Sequence, residues 1–226
     1  KDPNVSLSDY VTRMKTGQDK IFYITADSPA AARHSPHLEI FLKKGIEVLL
    51  LHDRVDEWVV SHLTEFDGKR LESVAQGNLE LGVLAEESDS TPIDKDELES
   101  FTKRMQKALG TQTRLVRITS RLTDSPACLV SDNAMSRNLE RLLKEAGQTP
   151  PSFQPVMEIN PHHPIVEKVK EEVDEERFSN WSQILFDQAL LAEGGQLDDP
   201  AGFVKRLNEL LLTLTGNQSK IWTPGS

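Results

Sequence analysis

Ile21-Phe-Tyr-Ile-Thr-Ala-Asp-Ser-Pro-Ala-Ala-Ala-Arg-His-Ser-Pro-His-Leu-Glu-Ile-Phe-Leu-Lys-Lys-Gly-Ile-Glu-Val-Leu-Leu-Leu51 decides the fold. Its first five residues, Ile21 to Thr25, are β-branched and aromatic and read as a buried strand. Ser28-Pro29 then opens a helix, with proline at the first helical position, where its missing N–H costs nothing. The helical pattern breaks at Ser35-Pro36, resumes to Lys44 and ends at Gly45, after which Ile46 to Leu51 supplies a second apolar strand. Strand, helix and strand at these lengths make a βαβ unit, because parallel strands need a crossover that is usually helical.

Working outward, Ser6-Leu-Ser-Asp9 is a capping box that starts a helix running from Leu7 to about Lys15, with Leu7, Tyr10, Val11 and Met14 on its apolar face and Gly17 just beyond. On the other side, Asp53 is expected to cap a helix whose apolar residues are Val55, Trp58, Val59 and Leu63. Residues 1–76 are thus expected to form one small α/β domain. From Gly77 to Pro92 the chain turns to Gly, Ser, Asp and Glu, so 77–92 is expected to be a solvated linker.

The second half, 93–214, mixes strands and helices. A helix is expected from Asp94 to about Leu109, then a hairpin of Thr113 to Ile118 and Ala127 to Ser131, then a helix from about Asn133 to Ala146 closed by Gly147. Val156-Met-Glu-Ile159 is a short strand stopped at Asn160-Pro161, and three helices follow at Pro164 to Val173, about Glu176 to Glu193, and Pro200 to about Leu214. The fold class this implies is a small α/β domain followed by an α+β domain that ends in a helical bundle.

Composition narrows the functional classes. The 226 residues correspond to about 1.5 average domains, and a 37% apolar share with 27% charged residues describes a globular chain. Thirty-six acidic against 26 basic residues give a net charge of −10, which repels phosphate backbones, so nucleic acid is not the expected partner. The longest apolar runs, such as Val48 to Leu51, fall far short of the roughly 20 residues of a membrane span. The single cysteine, Cys128, lies inside Ala127-Cys-Leu-Val130 and reads as a small buried hydrophobe; a reducing, cytoplasmic setting follows. The chain starts at Lys1 without a methionine, and both ends read as boundaries of a longer protein.

Residues for catalysis are sparse. His162 and His163 are adjacent, so on an extended segment they point apart and do not share a metal ion; a helix-entry turn is the plainer reading, and no metal is expected. His34, His37, His52 and His62 are scattered, and neither phosphate-cradling glycine motif occurs in the sequence. Catalytic residues: none. A small α/β enzyme with a cleft at the strand ends near Thr25 and His52 remains an alternative.

What the sequence does have is surplus apolar surface. In the helix from Glu176, Phe178, Trp181, Ile184, Leu185, Phe186, Ala189, Leu190 and Leu191 cover more than the roughly 100° needed to pack on one core. The last helix carries Phe203, Leu207, Leu210 and Leu214, flanked by Val204, Leu211 and Leu212, again wider than one face. Two such helices at the end of a chain point to a bundle completed by a second copy, with an intramolecular core as the alternative. The expected dimer interface is Trp181, Ile184, Leu185, Leu190, Leu191, Phe203, Leu207, Leu210, Leu211 and Leu214. The helix from Asn133 presents Met135, Leu139, Leu142, Leu143 and Ala146 on one face, the pattern of a helix packing on its own sheet.

Several strings taken together resemble the ninety-kilodalton heat-shock chaperone family, and within it the bacterial branch. They are Leu7-Ser-Asp-Tyr-Val-Thr-Arg-Met-Lys-Thr-Gly-Gln18, Ile21-Phe-Tyr-Ile-Thr25, Gly45-Ile-Glu-Val-Leu-Leu-Leu51, Leu63-Thr-Glu-Phe-Asp-Gly-Lys69, Leu122-Thr-Asp-Ser-Pro-Ala-Cys-Leu-Val130, Met157-Glu-Ile-Asn-Pro-His-His-Pro164 and Asp187-Gln-Ala-Leu-Leu-Ala-Glu193. The resemblance implies that 1–76 is the end of the family's middle domain and 93–214 its C-terminal dimerisation domain; 215–226 match none of the family's strings and read as a tail. The ATP-binding domain that takes Mg-ATP, and the loop assisting hydrolysis, would precede Lys1, leaving these residues with no cofactor and no enzymatic activity of their own. It further implies a homodimer that binds unfolded or partly folded client proteins through Glu57, Trp58, Met135, Leu139, Leu142 and Leu143. The acidic tail that recruits helical-repeat cochaperones in eukaryotic relatives is absent, so those partners are not expected. A purely architectural dimerisation module is the competing reading.

Overall fold

The structure, a computed structural model, describes residues 5–77, 95–131 and 154–214, together with Leu139, Leu143, Gly147 and Gln148. These residues form a mixed α/β arrangement with two small sheets and, among the described residues, eight α-helices. Helix α1 (Leu7–Arg13) opens as read: Ser6 Oγ accepts from Asp9 N–H while the Asp9 carboxylate accepts from Ser6 N–H, so both free amides are satisfied. Strand β1 (Lys20–Thr25) follows, then α2 (Pro29–Arg33), a 3₁₀ turn (Pro36–Leu38) and α3 (Glu39–Lys44). Gly45 closes α3 in the left-handed conformation at φ +60°, as a C-terminal glycine should.

Strand β2 is shorter than its apolar run and covers only Leu49–Leu51. It pairs in parallel with β1, Tyr23 opposite Leu49 and Thr25 opposite Leu51, which confirms the βαβ unit. After it comes α4 (Asp56–His62), which begins at Val55 with no side-chain cap; instead the Asp56 carboxylate accepts from the Asp53 N–H. The expected Asp53 cap is therefore replaced by a turn that runs in the opposite sense. Sequence reading also missed a hairpin, β3 (Glu65–Phe66) and β4 (Lys69–Ser73), turned by Asp67 and Gly68 at φ +50° and +70°. Two positive φ values in succession require residues such as Asp-Gly. Strand β4 lies parallel to β1, completing the order β2-β1-β4-β3. Phe22, Ile24, Phe41, Ile46 and Val74 form the core beneath this sheet, with Phe22 and Phe41 edge to face at 4.9 Å.

The second sheet is built from β5 (Leu115–Ile118), β6 (Ala127–Val130) and β7 (Val156–Ile159). The expected β5–β6 hairpin does not form. Strand β7 inserts between them, parallel to β5 and antiparallel to β6, so the sheet order is β5-β7-β6. All four residues of both β6 and β7 are buried, which explains why β6 is continuously apolar rather than alternating and β7 is apolar but for Glu158. Helices α5 (Lys95–Leu109), α6 (Pro164–Glu171) and α7 (Glu175–Ala192) cover the sheet around Phe101, Met105, Met157, Phe178 and Leu185. Helix α8 (Pro200–Leu214) packs back on α7, with Arg206 3.0 Å from Asp187. Except for Gly77, the expected linker 77–92 lies outside the described residues.

Candidate functional site

Two apolar surfaces stand out. The first is on α4, where Val55, Trp58 and Val59 fall at i, i+3 and i+4 and so share one face. The sequence reading gave these as apolar residues of the helix. All three are exposed, Trp58 at 54%. Acidic Asp56 and Glu57 in the first turn favour the helix start, and the carbonyl of Trp58 is held by Ser61 Oγ at 2.8 Å. Glu57, grouped with Trp58 by the resemblance, is only 3% exposed. Tyr23 lies near enough that, after burial, the Glu57 and Glu72 charges push its hydroxyl pKa up. Only Trp58 of the pair is presented to solvent.

The second surface is on the helical pair α7 and α8. Ile184 and Leu185 are buried within the chain, Leu185 in the core under the second sheet, and Trp181 and Leu190 pack half-buried against that core. In α8, Phe203, Arg206, Leu207 and Leu210 are half-buried and lie on one face. The other face is also apolar: Val204, Leu211 and Leu212 are exposed, Leu212 at 55%, and Leu191 of α7 is exposed as well. A helix with a second uncovered apolar stripe has more nonpolar surface than one core can use. The side chain of Leu214 lies outside the described residues.

Polar side chains fix the register of this pair. Asp187 accepts from Gln183 Nε2 at 2.8 Å and from Arg206 Nη2 at 3.0 Å, and Gln183 bonds to Gln112, which precedes β5. The Asp174 carboxylate caps α7 by accepting from Arg177 N–H.

Met135 and Leu142 lie outside the described residues, whereas Leu139 and Leu143 are helical and half-buried. Gly147 takes φ +76°, and Gln148 N–H donates to Leu143 C=O at 2.9 Å, the helix-closing turn expected there. At the strand ends proposed for an enzyme, Thr25 and Leu51 sit side by side and His52 Nδ1 is 3.7 Å from Asp53. His163 Nδ1 accepts from Ile165 N–H and caps α6, the helix-entry role. Among the described residues no group of three or more His, Cys, Asp or Glu is gathered for a metal, and no helix is long and apolar enough to cross a membrane. Val204 and Leu212, which the sequence reading placed beside the expected interface residues without including them among these, are exposed with Leu211.

Comparison with known proteins agrees with the resemblance. The family described as Hsp90 protein matches residues 1–222. A relative from Dechloromonas aromatica, named Chaperone protein HtpG, is 58% identical over 217 residues, covering 95% of this chain and 34% of its own length. Another of that name, from Nitrosomonas europaea, is 59% identical over 215 residues, covering 94% of this chain and 33% of its own. The chain therefore spans about a third of the length of these relatives.

Proposed function

The chain belongs to the Hsp90 protein family, and from that premise we propose that it is a chaperone module that pairs with a second copy and holds unfolded or partly folded client proteins. In this reading residues 1–76 are the end of the middle domain, 93–214 are the dimerisation domain, and α7 with α8 forms half of a bundle. The observation that carries it is the two-sided apolar surface of α8, whose outer residues Val204, Leu211 and Leu212 are about half exposed. A second copy placing the same stripe against it would bury that surface in a self-complementary contact.

Client holding is assigned to the exposed face of α4 around Trp58, together with the helix bearing Leu139 and Leu143. A nonpolar surface suits clients of no fixed sequence because burial is non-directional. The same proposal gives these residues no nucleotide-hydrolysing role; hydrolysis of Mg-ATP belongs to the remainder of a protein of the relatives' length. Suppression of aggregation of a thermally unfolding client tests the reading. Trp58→Ala with Val59→Ser is expected to weaken suppression several-fold at unchanged thermal stability. Unchanged suppression would remove α4 from the client surface.

A further inference from the structure

The two sheets are joined by contacts of two different kinds. On one side the joint is buried. Glu158, on β7, is 2% exposed and holds Arg121 through Oε2 at 2.8 Å and Arg117 through Oε1 at 2.6 Å. Both guanidinium groups then reach back to the first unit: Arg121 donates to the carbonyls of Val74 and Gln76 at 3.1 Å each, and Arg117 donates to that of Gly77. Gly77 N–H donates to Ser131 C=O and Ser131 N–H to Ala75 C=O, extending the second sheet past β6 onto the same segment.

On the other side the Glu39 contact is partly open to water, and a buried contact of His37 lies beside it. Glu39, at the start of α3, accepts from the backbone N–H groups of Thr123, Asp124 and Ser125 at 2.5, 2.8 and 3.0 Å. Two residues earlier, His37 Nε2 lies 2.7 Å from Glu193 at the end of α7. The turn at 121–125 is thus gripped twice, its Arg121 holding carbonyls of the first unit while a carboxylate of the first unit holds its amides.

We propose that Glu39 is a releasable latch between the two units and that the Glu158–Arg121–Arg117 cluster is the fixed pin. The asymmetry follows from solvation. Breaking the pin leaves buried charges without partners, whereas amides released from Glu39 face water, which can replace the carboxylate. The backbone bonds of 75–77 to Ser131 lie on the pinned side, so opening the latch lets the second unit tilt without separating. This inference is independent of the client-binding reading and concerns how the two units are held.

Amide exchange and a spin-label distance test it in the 226-residue chain. Labels at Leu42 and Val173, both exposed, report on the two units. In Glu39→Ala, exchange at 123–125 is expected to rise about tenfold or more, the scale of losing charged hydrogen bonds. The label distances should broaden while 127–130 and 156–159 stay protected. Glu39→Gln, which keeps the shape and one acceptor oxygen, should give a smaller change of the same kind. Arg121→Ala should instead unprotect 74–77 and both strands together. Unchanged exchange and distance in Glu39→Ala, joint loss of protection in the strands, or failure of both Glu39 variants to fold would each overturn the proposal. So would an Arg121→Ala pattern that matches that of Glu39→Ala.

Discussion

Arg121 Nε stands 2.8 Å from Glu158 Oε2 in a site where the two side chains are 9% and 3% exposed, so the second sheet carries an ion pair in its centre. Cys128 Sγ lies 4.0 Å from the same carboxylate. Taking such charges out of water is costly unless every polar atom is matched, and here the spare guanidinium hydrogens are matched by the carbonyls of Val74, Gln76 and Gly77. The pair therefore fixes where the first unit's last residues meet the second sheet.

Glu158→Gln should consequently destabilise the chain by about 3–5 kcal/mol, the cost of leaving a buried charge uncompensated. Chemical denaturation followed by far-ultraviolet circular dichroism measures it. A loss under about 1 kcal/mol would mean that water replaces the carboxylate freely.

Tyr10 ties α1 to the first sheet. Its hydroxyl donates to Glu47 C=O at 2.7 Å and accepts from Gln18 Nε2 at 3.0 Å and Phe22 N–H at 3.1 Å. Tyr10→Phe keeps the ring and strands these groups, so a loss of about 1–3 kcal/mol is expected by the same denaturation measurement.

Cys128 is fully buried, and burial, helped by the Glu158 charge, pushes its thiol well above the ordinary cysteine range. The thiolate is the reactive form. A thiol reagent at neutral pH should therefore leave the native chain unlabelled and modify one thiol per chain once denaturant is added. Rapid labelling of the native chain would contradict this burial.

Glu39 sets a pH dependence. Burial raises its pKa, but the N–H groups of Asp124, Ser125 and Thr123 together outweigh burial and hold the carboxyl below the ordinary glutamate value. A depressed folded-state pKa contributes stability that is present above the unfolded value and lost as pH falls through the folded one. The stability gap between the parent chain and Glu39→Gln should thus be full near neutrality and close in acid. A gap that is constant with pH would exclude this ionisation.

Local signals were well encoded in the sequence. Ser6 with Asp9, Ser28-Pro29, Gly45 and Asn160-Pro161 marked element ends that the structure places within one or two residues, because caps and breakers act through neighbouring backbone groups. The order β5-β7-β6 was not legible, since β7 comes from beyond the turn that the apolar runs of β5 and β6 had made look like a hairpin. Arg117 and Glu158 lie 41 positions apart, and no periodicity announces such a pair. On α4, spacing revealed that Val55, Trp58 and Val59 share a face but not whether anything covers it. The width of the apolar surface on α8 was visible from the start, and the structure adds which stripe is spent on α7 and which is left over.

That leftover stripe is where the account is most exposed to test. Sedimentation equilibrium at micromolar concentration should give twice the 25.4 kDa chain mass, and Leu211→Glu with Leu212→Glu should return the chain to its monomer mass with its circular dichroism intact. A parent chain that sediments as a 25.4 kDa monomer under those conditions would contradict the pairing through α8 on which the proposed function rests.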